Sequence, residues 1–329
     1  MKAKNSLPTM KDVAKEAGVA LGTVSNVINN LPVGDEYKKR VDAAVKKLGY
    51  KINNYAKGLK SNKTNTVAFI IPNTIHPFYA ILTNAINLAL LQKGYKMFLC
   101  CTDFDRHQEQ DFIEMVQRNR VDGIIGLTYN PELSVPSDIP FVSIDRVLSP
   151  DICCVSSDNF GGGSIAAHKL AELGCKRVAF LRTGSSLNNE PNKRRAGFEN
   201  GCMECGLSYD LKIIGDEAPV DAFFDFLKEH YHNGKLDYDG LFCVTDILAL
   251  KVIKMLKQLK LSVPEDVQVI GFDGIKSYID GRYHCSTIVQ SVEKIAQTSV
   301  SILLQDPSEI KYPIIYIPVE FGQGNTTSH

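Results

Sequence analysis

From Thr66 onward, short apolar runs alternate with longer amphipathic stretches, and that alternation leaves few folds open. The runs are TVAFII (66–71), YKMFLC (95–100), VDGIIGL (121–127) and IPFVSID (139–145). They lack the in–out alternation of a half-solvated strand, so each is expected to be buried on both faces. Helical spacing over 77–93, stopped by Gly94, and near 107–118 supplies the crossovers that a parallel sheet needs. The pattern then repeats with GGGSIAAHKLAELG (161–174), KRVAFL (176–181), PNKRRAGFENGCMECG (191–206), DAFFDFLKEHYH (221–232), YDGLFCV (238–244), DILALKVIKMLKQLK (246–260) and DVQVIGFDG (266–274). The expected body is thus α/β over 66–329, with two open parallel-sheet subdomains. One covers about 66–160 and 291–319, the other about 161–290 and 320–329. The segment YPIIYIPVEFGQ (312–323) returns across both.

The first 50 residues are different. Net charge over the whole chain is zero, yet residues 1–63 hold 13 Lys and Arg against 5 Asp and Glu, and the rest hold 24 against 32. Such a split points to an anionic partner for the front of the chain. Thr9 and Asp12 form a capping pair. Val13, Ala14 and Ala17 then make one apolar face, and Gly18 ends the helix. Val24, Val27 and Ile28 give a second helix, and a third runs from about Glu36 to Leu48, ended by Gly49. Lys38, Lys39, Arg40, Lys46 and Lys47 decorate its surface. Three short helices with a tight turn between the first two make a helix-turn-helix unit. Its second helix is the candidate for the major groove of double-stranded DNA. Leu21, Gly22, Ser25, Asn26 and Asn29 lie on its open face, with Ser25, Thr23 and the lysines placed to hold phosphates. Residues 51–65 read as a polar hinge with one short helix, about 54–60, too short to be stable alone in water.

In open parallel sheets, ligands bind outside the carboxyl ends of the strands. Those ends carry Asn73, Asp103, Asp145 with Arg146, Asp158, Thr245 with Asp246, and Asp273. Arg194 and Arg195 open the helix after KRVAFL. Carboxylates that accept from paired hydroxyls, an arginine and amides suit a polyol, and Phe78 could stack on a sugar face. Strand-end aspartates also cap helices, and Asp158 and Asp246 fit that role equally well. Arg195 fits a surface ion pair, and His230 and His232 read as solvated. His76 fits either a pocket wall or a loop cap.

Nine cysteines, two pairs of them adjacent in sequence, make a poor disulfide framework and fit reduced thiols in a cytoplasm. Cys202 and Cys205 have no second pair at zinc-ribbon distance, so no metal site is expected. No secretory leader is expected, and no run of about 18 apolar residues is found. FGGGS lacks the spacing of a dinucleotide or Walker loop, and no G-x-S-x-G or H-E-x-x-H occurs. No catalytic residue and no cofactor are expected. The rival readings are a kinase or dehydrogenase on this scaffold, and a bare periplasmic-type binding protein.

The segments PTMKDVAKEAGVALGTVSNVIN (8–29), RVDAAVKKLGY (40–50) and NNYAKGLKS (53–61) resemble, in order and spacing, the N-terminus of LacI/GalR-type bacterial transcriptional regulators. In the body, PNTIHPFYA (72–80), RRAGF (194–198), VTDILAL (244–250) and VIGFDG (269–274) resemble the sensor domain of the same family, itself similar to periplasmic sugar-binding proteins. The resemblance implies a repressor that acts as a homodimer on an operator and is controlled by a sugar or sugar phosphate between the subdomains. It implies DNA contacts from Thr9, Ala20, the second helix and the hinge residues Asn53 and Ala56, with Leu59 as a minor-groove wedge. It places Asp145, Arg194, Thr245 and Asp273 at effector-contacting positions. Departures are Ala20 for the usual Ser or Thr, Asn26 for a frequent Arg, Ile52 for a Pro and Thr245 for a frequent Asn. No leucine-heptad tail follows Phe321, so no tetramerising extension is expected.

Overall fold

A computed structural model describes residues 8–50, 64–130, 132–184, 189–215, 219, 221–306, 310 and 313–328. The helix expected over 54–60, with Asn53, Ala56 and Leu59, lies outside the described residues. The chain divides after Thr64 into two compact units, taken here one at a time.

The first unit holds α1 (Met10–Ala17), α2 (Leu21–Ile28) and α3 (Asp35–Leu48). Thr9 caps α1, and the reciprocal bonds are both present: Thr9 N–H donates to Asp12 Oδ2 at 2.8 Å and Asp12 N–H to Thr9 Oγ1 at 3.4 Å. Val13, Ala14, Ala17, Val24, Val27, Val41 and Ala44 form the core, matching the apolar spacing of each helix. Gly18 stops α1 in the left-handed conformation at φ 62°, which glycine adopts without Cβ strain. Arg40 is more than surface decoration. Its Nε and Nη2 donate to the carbonyls of Ala17 and Gly18 at 3.0 and 2.8 Å, so a cation from α3 satisfies the C-terminal end of α1.

The body begins with β1 (Thr66–Ile71), α4 (Pro77–Gln92), β2 (Lys96–Cys101), α5 (Arg106–Arg118), β3 (Gly123–Gly126), β4 (Phe141–Ile144) and β5 (Cys153–Ser157). It continues with α6 (Asn159–Glu172), β6 (Arg177–Thr183), α7 (Lys193–Cys205), β7 (Ser208–Ile214), α8 (Asp221–Glu229), β8 (Tyr231–His232) and β9 (Lys235–Leu236). Then come β10 (Gly240–Cys243), α9 (Asp246–Gln258), β11 (Gln268–Asp273), β12 (Ser286–Gln290), α10 (Val292–Leu303), β13 (Ile314–Ile317) and β14 (Val319–Gly322). One sheet has the order β13-β5-β4-β3-β1-β2, the other β14-β12-β11-β10-β6-β7. Within these two sheets every described pairing is parallel except β12 with β14. Helices cover both faces of the first sheet: Phe78, Leu82 and Ile86 of α4 with Ile295 and Val300 of α10 on one side, Ile113 and Val116 of α5 on the other.

The chain passes between the sheets three times, at 157–159, 290–292 and 317–319. β5, β7, β12 and α10 complete the architecture beyond the runs picked out from sequence. The helix expected to reach His232 stops at Glu229. Asn233 and Gly234, at φ 53° and 82°, turn β8 onto β9 in the manner of a primed hairpin turn. His230 is not solvated, because its Nδ1 lies 3.3 Å from Asp237 and its ring packs against Phe226 and Tyr238.

The glycine run before Ser164 is a packing device. A Cβ on Gly163 would strike Arg194 O, and one on Gly197 would strike Phe160 O. α6 and α7 therefore meet backbone to backbone, with no side chain between them at those points.

Candidate functional site

In the head, α2 buries Val24 and Val27 and leaves Ala20, Leu21, Gly22, Asn26 and Asn29 exposed, with Thr23 and Ser25 half-exposed and Thr9 exposed on α1. Ala20 makes no cap bond. Asn29 Nδ2 turns back to Ser25 O at 2.8 Å. A Cβ on Gly22 would meet nothing within 4 Å, so no internal contact demands glycine there. A helix start without a side-chain cap and a face that exposes Leu21, Asn26 and Asn29 are suited to the wall of a DNA groove.

In the body, a cavity of about 640 Å³ opens at the carboxyl ends of the strands of both sheets. One wall is largely aromatic: His76, Phe78 and Tyr79 at the start of α4, Phe104 after β2 and Tyr129 after β3. The Tyr79 and Tyr129 hydroxyls lie 3.1 Å apart, and the Phe104 and Tyr129 rings are 5.6 Å apart. Asp145, Arg194, Thr245, Asp273 and Gln290 supply the polar floor. Arg106, at the start of α5, and Arg182, which donates to the Asn192 side chain, also line it.

The floor is held from behind. Arg194 is 4% exposed. Its Nε donates to Asn159 Oδ1 at 2.8 Å, its Nη1 to Val244 O at 2.7 Å, and its guanidinium sits 3.5 Å over the Phe272 ring. Asp145 Oδ1 accepts from Ser156 Oγ at 2.7 Å. Asp273 Oδ1 accepts from Gln290 Nε2 at 2.9 Å and lies 3.9 Å from Arg194 Nη1. Asp273 Oδ2 is buried with no hydrogen-bond partner. Both aspartates have positive φ, 59° and 127°, a conformation uncommon for non-glycine residues.

Burial raises the carboxyls of Asp145 and Asp273, with Arg194 pulling both the other way. Burial also depresses His76, helped by the Arg194 charge, so this ring is neutral near pH 7. The site can therefore offer buried acceptors, the buried cation of Arg194 with Arg106 and Arg182 beside it, and aromatic faces.

Phe78, Asp145, Arg194, Thr245 and Asp273 come together in this cavity, and His76 is part of its wall. Asn73 and Arg146 do not line it. Asn73 Oδ1 accepts from the N–H of Ile75 at 3.1 Å, closing a loop turn. Arg146 points away and donates to Asn130 O at 2.5 Å, as successive residues at a strand end face opposite sides. Asp158 caps α6 through Gly161 N–H. Asp246 accepts from Thr287 Oγ1 at 2.6 Å and Ile275 N–H at 2.7 Å, while Thr245 caps α9. Arg195 pairs with Glu199 on the surface. Tyr79, Phe104, Arg106, Tyr129, Arg182, Asn192 and Gln290 were not read from sequence. A strand-end rule extended to STIVQ would have found Gln290.

Residues 9–53 match the model of the bacterial regulatory proteins of the lacI family, and residues 167–324 match that of a periplasmic binding protein-like domain. The sucrose operon repressor of Streptococcus mutans serotype c is 33% identical over 325 residues, 96% of this chain and 98% of that protein. The chain belongs to the LacI family. It is accordingly a DNA-binding transcriptional regulator. A further relative, the HTH-type transcriptional repressor PurR of Haemophilus influenzae strain PittEE, is 30% identical over 311 residues, 91% of each chain. Among solved structures, a periplasmic binding protein/LacI transcriptional regulator from Alkaliphilus metalliredigens QYMF complexed with D-xylulofuranose is 30% identical with a TM-score of 0.68, covering 80% of this chain and all of that one. The lac repressor dimer bound to operator superposes with a TM-score of 0.81 over 98% of this chain and 99% of its own, at 21% identity, which speaks to the fold.

Proposed function

We propose that this LacI-family chain is a cytoplasmic, homodimeric repressor whose operator affinity is set by a carbohydrate bound in the body cavity. The effector is bound and released unchanged. The observation that carries this reading is Asp273, a buried carboxylate that lines a cavity with an aromatic wall and keeps one oxygen without a hydrogen-bond partner. Sugar hydroxyls donate to carboxylates and their C–H faces cover aromatic rings, and about 640 Å³ falls within the usual range for a small-ligand site. Two carboxylates in the floor favour hydroxyl donors there over a phosphate. The sucrose-operon relatives and the sugar-bound structure support the same class. One three-helix head offers few base contacts, so two heads on a two-fold site are expected.

The test is a thermal-shift screen of the full-length chain with sucrose, D-fructose, D-glucose, cellobiose, their 6-phosphates and purine bases. At least one sugar is expected to raise the melting temperature. A chain lacking residues 1–61 should keep that shift and lose binding to the duplex that the full chain selects from a random pool. Stabilisation by purines alone would defeat the effector assignment.

A further inference from the structure

Behind the cavity floor lies a relay of buried side chains that mostly do not line it. Ser156, Ser157, Asn159 and Gln290 are at most 4% exposed. Asp145 accepts from Ser156 Oγ. Asn159 Nδ2 donates to Ser156 Oγ at 3.0 Å and to Ser157 O at 2.9 Å, and Asn159 Oδ1 accepts from Arg194. Ser157 Oγ donates to Gln290 Oε1 at 2.7 Å, and Gln290 Nε2 donates to Asp273. Each amide has one permitted orientation, since its NH₂ must face the acceptor and its oxygen the donor.

The positions of these residues in the chain give the relay its meaning. Ser157 ends β5 and Asn159 starts α6, so they flank the first passage between the sheets. Gln290 ends β12 just before the second passage. Asp158 N–H donates to Ile317 O at 2.8 Å, which ties the first passage to the third. Any motion of one subdomain against the other bends these three segments, and two of them are joined by the Ser157–Gln290 bond. The same side chains hold both cavity carboxylates and Arg194.

We propose that Ser157 and Asn159 are coupling residues that carry effector occupancy to the crossover segments without touching the effector. A ligand hydroxyl that claims Asp145 or Asp273 redistributes bonds along the relay. Because both ends reach the passages, the preferred angle between the subdomains shifts with it. Buried hydrogen bonds in a chain polarise one another, so a change at one bond is felt along it, and coupling between sites is the free energy that such a chain transmits.

Two single substitutions cut the relay at different bonds, Ser157→Ala and Asn159→Asp. In full-length protein, the affinity for the strongest stabilising sugar of the screen should stay within about threefold of wild type. The factor by which that sugar changes affinity for the selected duplex, of the order of 5–150-fold in such switches, should fall to within about twofold of no effect. A wild-type factor in both variants overturns the proposal, as does a loss of sugar affinity that accounts for the whole effect. A purely structural role would lower the melting temperature and leave the factor alone. A second measurement needs no sugar. In the ligand-free chain, Ser157→Ala should speed hydrogen exchange at the Asp158 amide at least about tenfold, and unchanged exchange there also overturns the relay. Should no sugar bind wild type, the effector assignment fails while the exchange result still judges the relay.

Discussion

The head and the body present function in opposite ways. On α2 the exposed residues owe little to one another: Ala20 caps nothing, Gly22 faces empty space, and the apolar half of the helix does the folding. In the cavity, Asp145, Arg194 and Asp273 are each buried and each bonded to the protein interior. A face of the first kind can change its partner without disturbing the fold. A floor of the second kind ties recognition to stability, because removing a group leaves its partners buried and unsatisfied.

Arg194→Met should break this contrast most severely. It leaves the two aspartates without their buried cation and strands Asn159 Oδ1 and Val244 O. Losing one partner of a buried pair costs about 3–5 kcal/mol, so the melting temperature should drop by roughly 10 °C together with loss of sugar binding. A melting point within about 3 °C of wild type would mean that the floor is far less tightly built than described.

Asp273→Asn should separate the two properties. Hydrogen bonds to a charged group contribute about 1.5–3 kcal/mol, so sugar affinity measured by calorimetry should fall by roughly 10- to 150-fold. Burial raises this carboxyl above the ordinary aspartate value near 3.8, so the folded state holds the proton more tightly than the unfolded chain. Stability from this group therefore decreases as pH rises from near 3.8 through the folded pKa, then levels off. Chemical denaturation across that window should show a shallower dependence in Asp273→Asn. An unchanged slope would remove the argument from burial.

These residues also show how far the sequence could be read. Asp145, Thr245 and Asp273 were legible because strand order and ligand position are linked in parallel sheets. Arg146 and Asn73 lie off the cavity lining, because the rule says where a residue sits along the strand, not which way its side chain turns. Phe104, Tyr129 and Gln290 reach the cavity through tertiary assembly: two leave loops, and Gln290 ends a strand whose short run carried little signal. The head was more legible, since its faces follow from helical period alone. The role of Arg40 was hidden because its acceptors are backbone carbonyls on another helix.

Gly22→Ala sharpens the contrast with the smallest effect. Alanine is favoured over glycine in a helix by about 1 kcal/mol, and the site has room for it, so the head should melt slightly later. The same methyl stands on the bare face, so binding to the selected duplex should weaken by about tenfold, a cost near 1.4 kcal/mol. A variant that is both more stable and equally tight on DNA would move the contact surface off this part of α2.

The backbone contact between α6 and α7 sets a limit on how such a regulator can diversify. Alanine at Gly163 or Gly197 would collide with main-chain oxygen, so the spacing between the helices that begin near Asn159 and Arg194 is in effect a non-negotiable dimension. A new ligand preference must then arise elsewhere, in the segments after β2 and β3 that carry Phe104 and Tyr129 and at the end of β6, which line the cavity outside this helix contact. Pocket variants that fold should cluster in those segments, and the glycines should be the last residues to change.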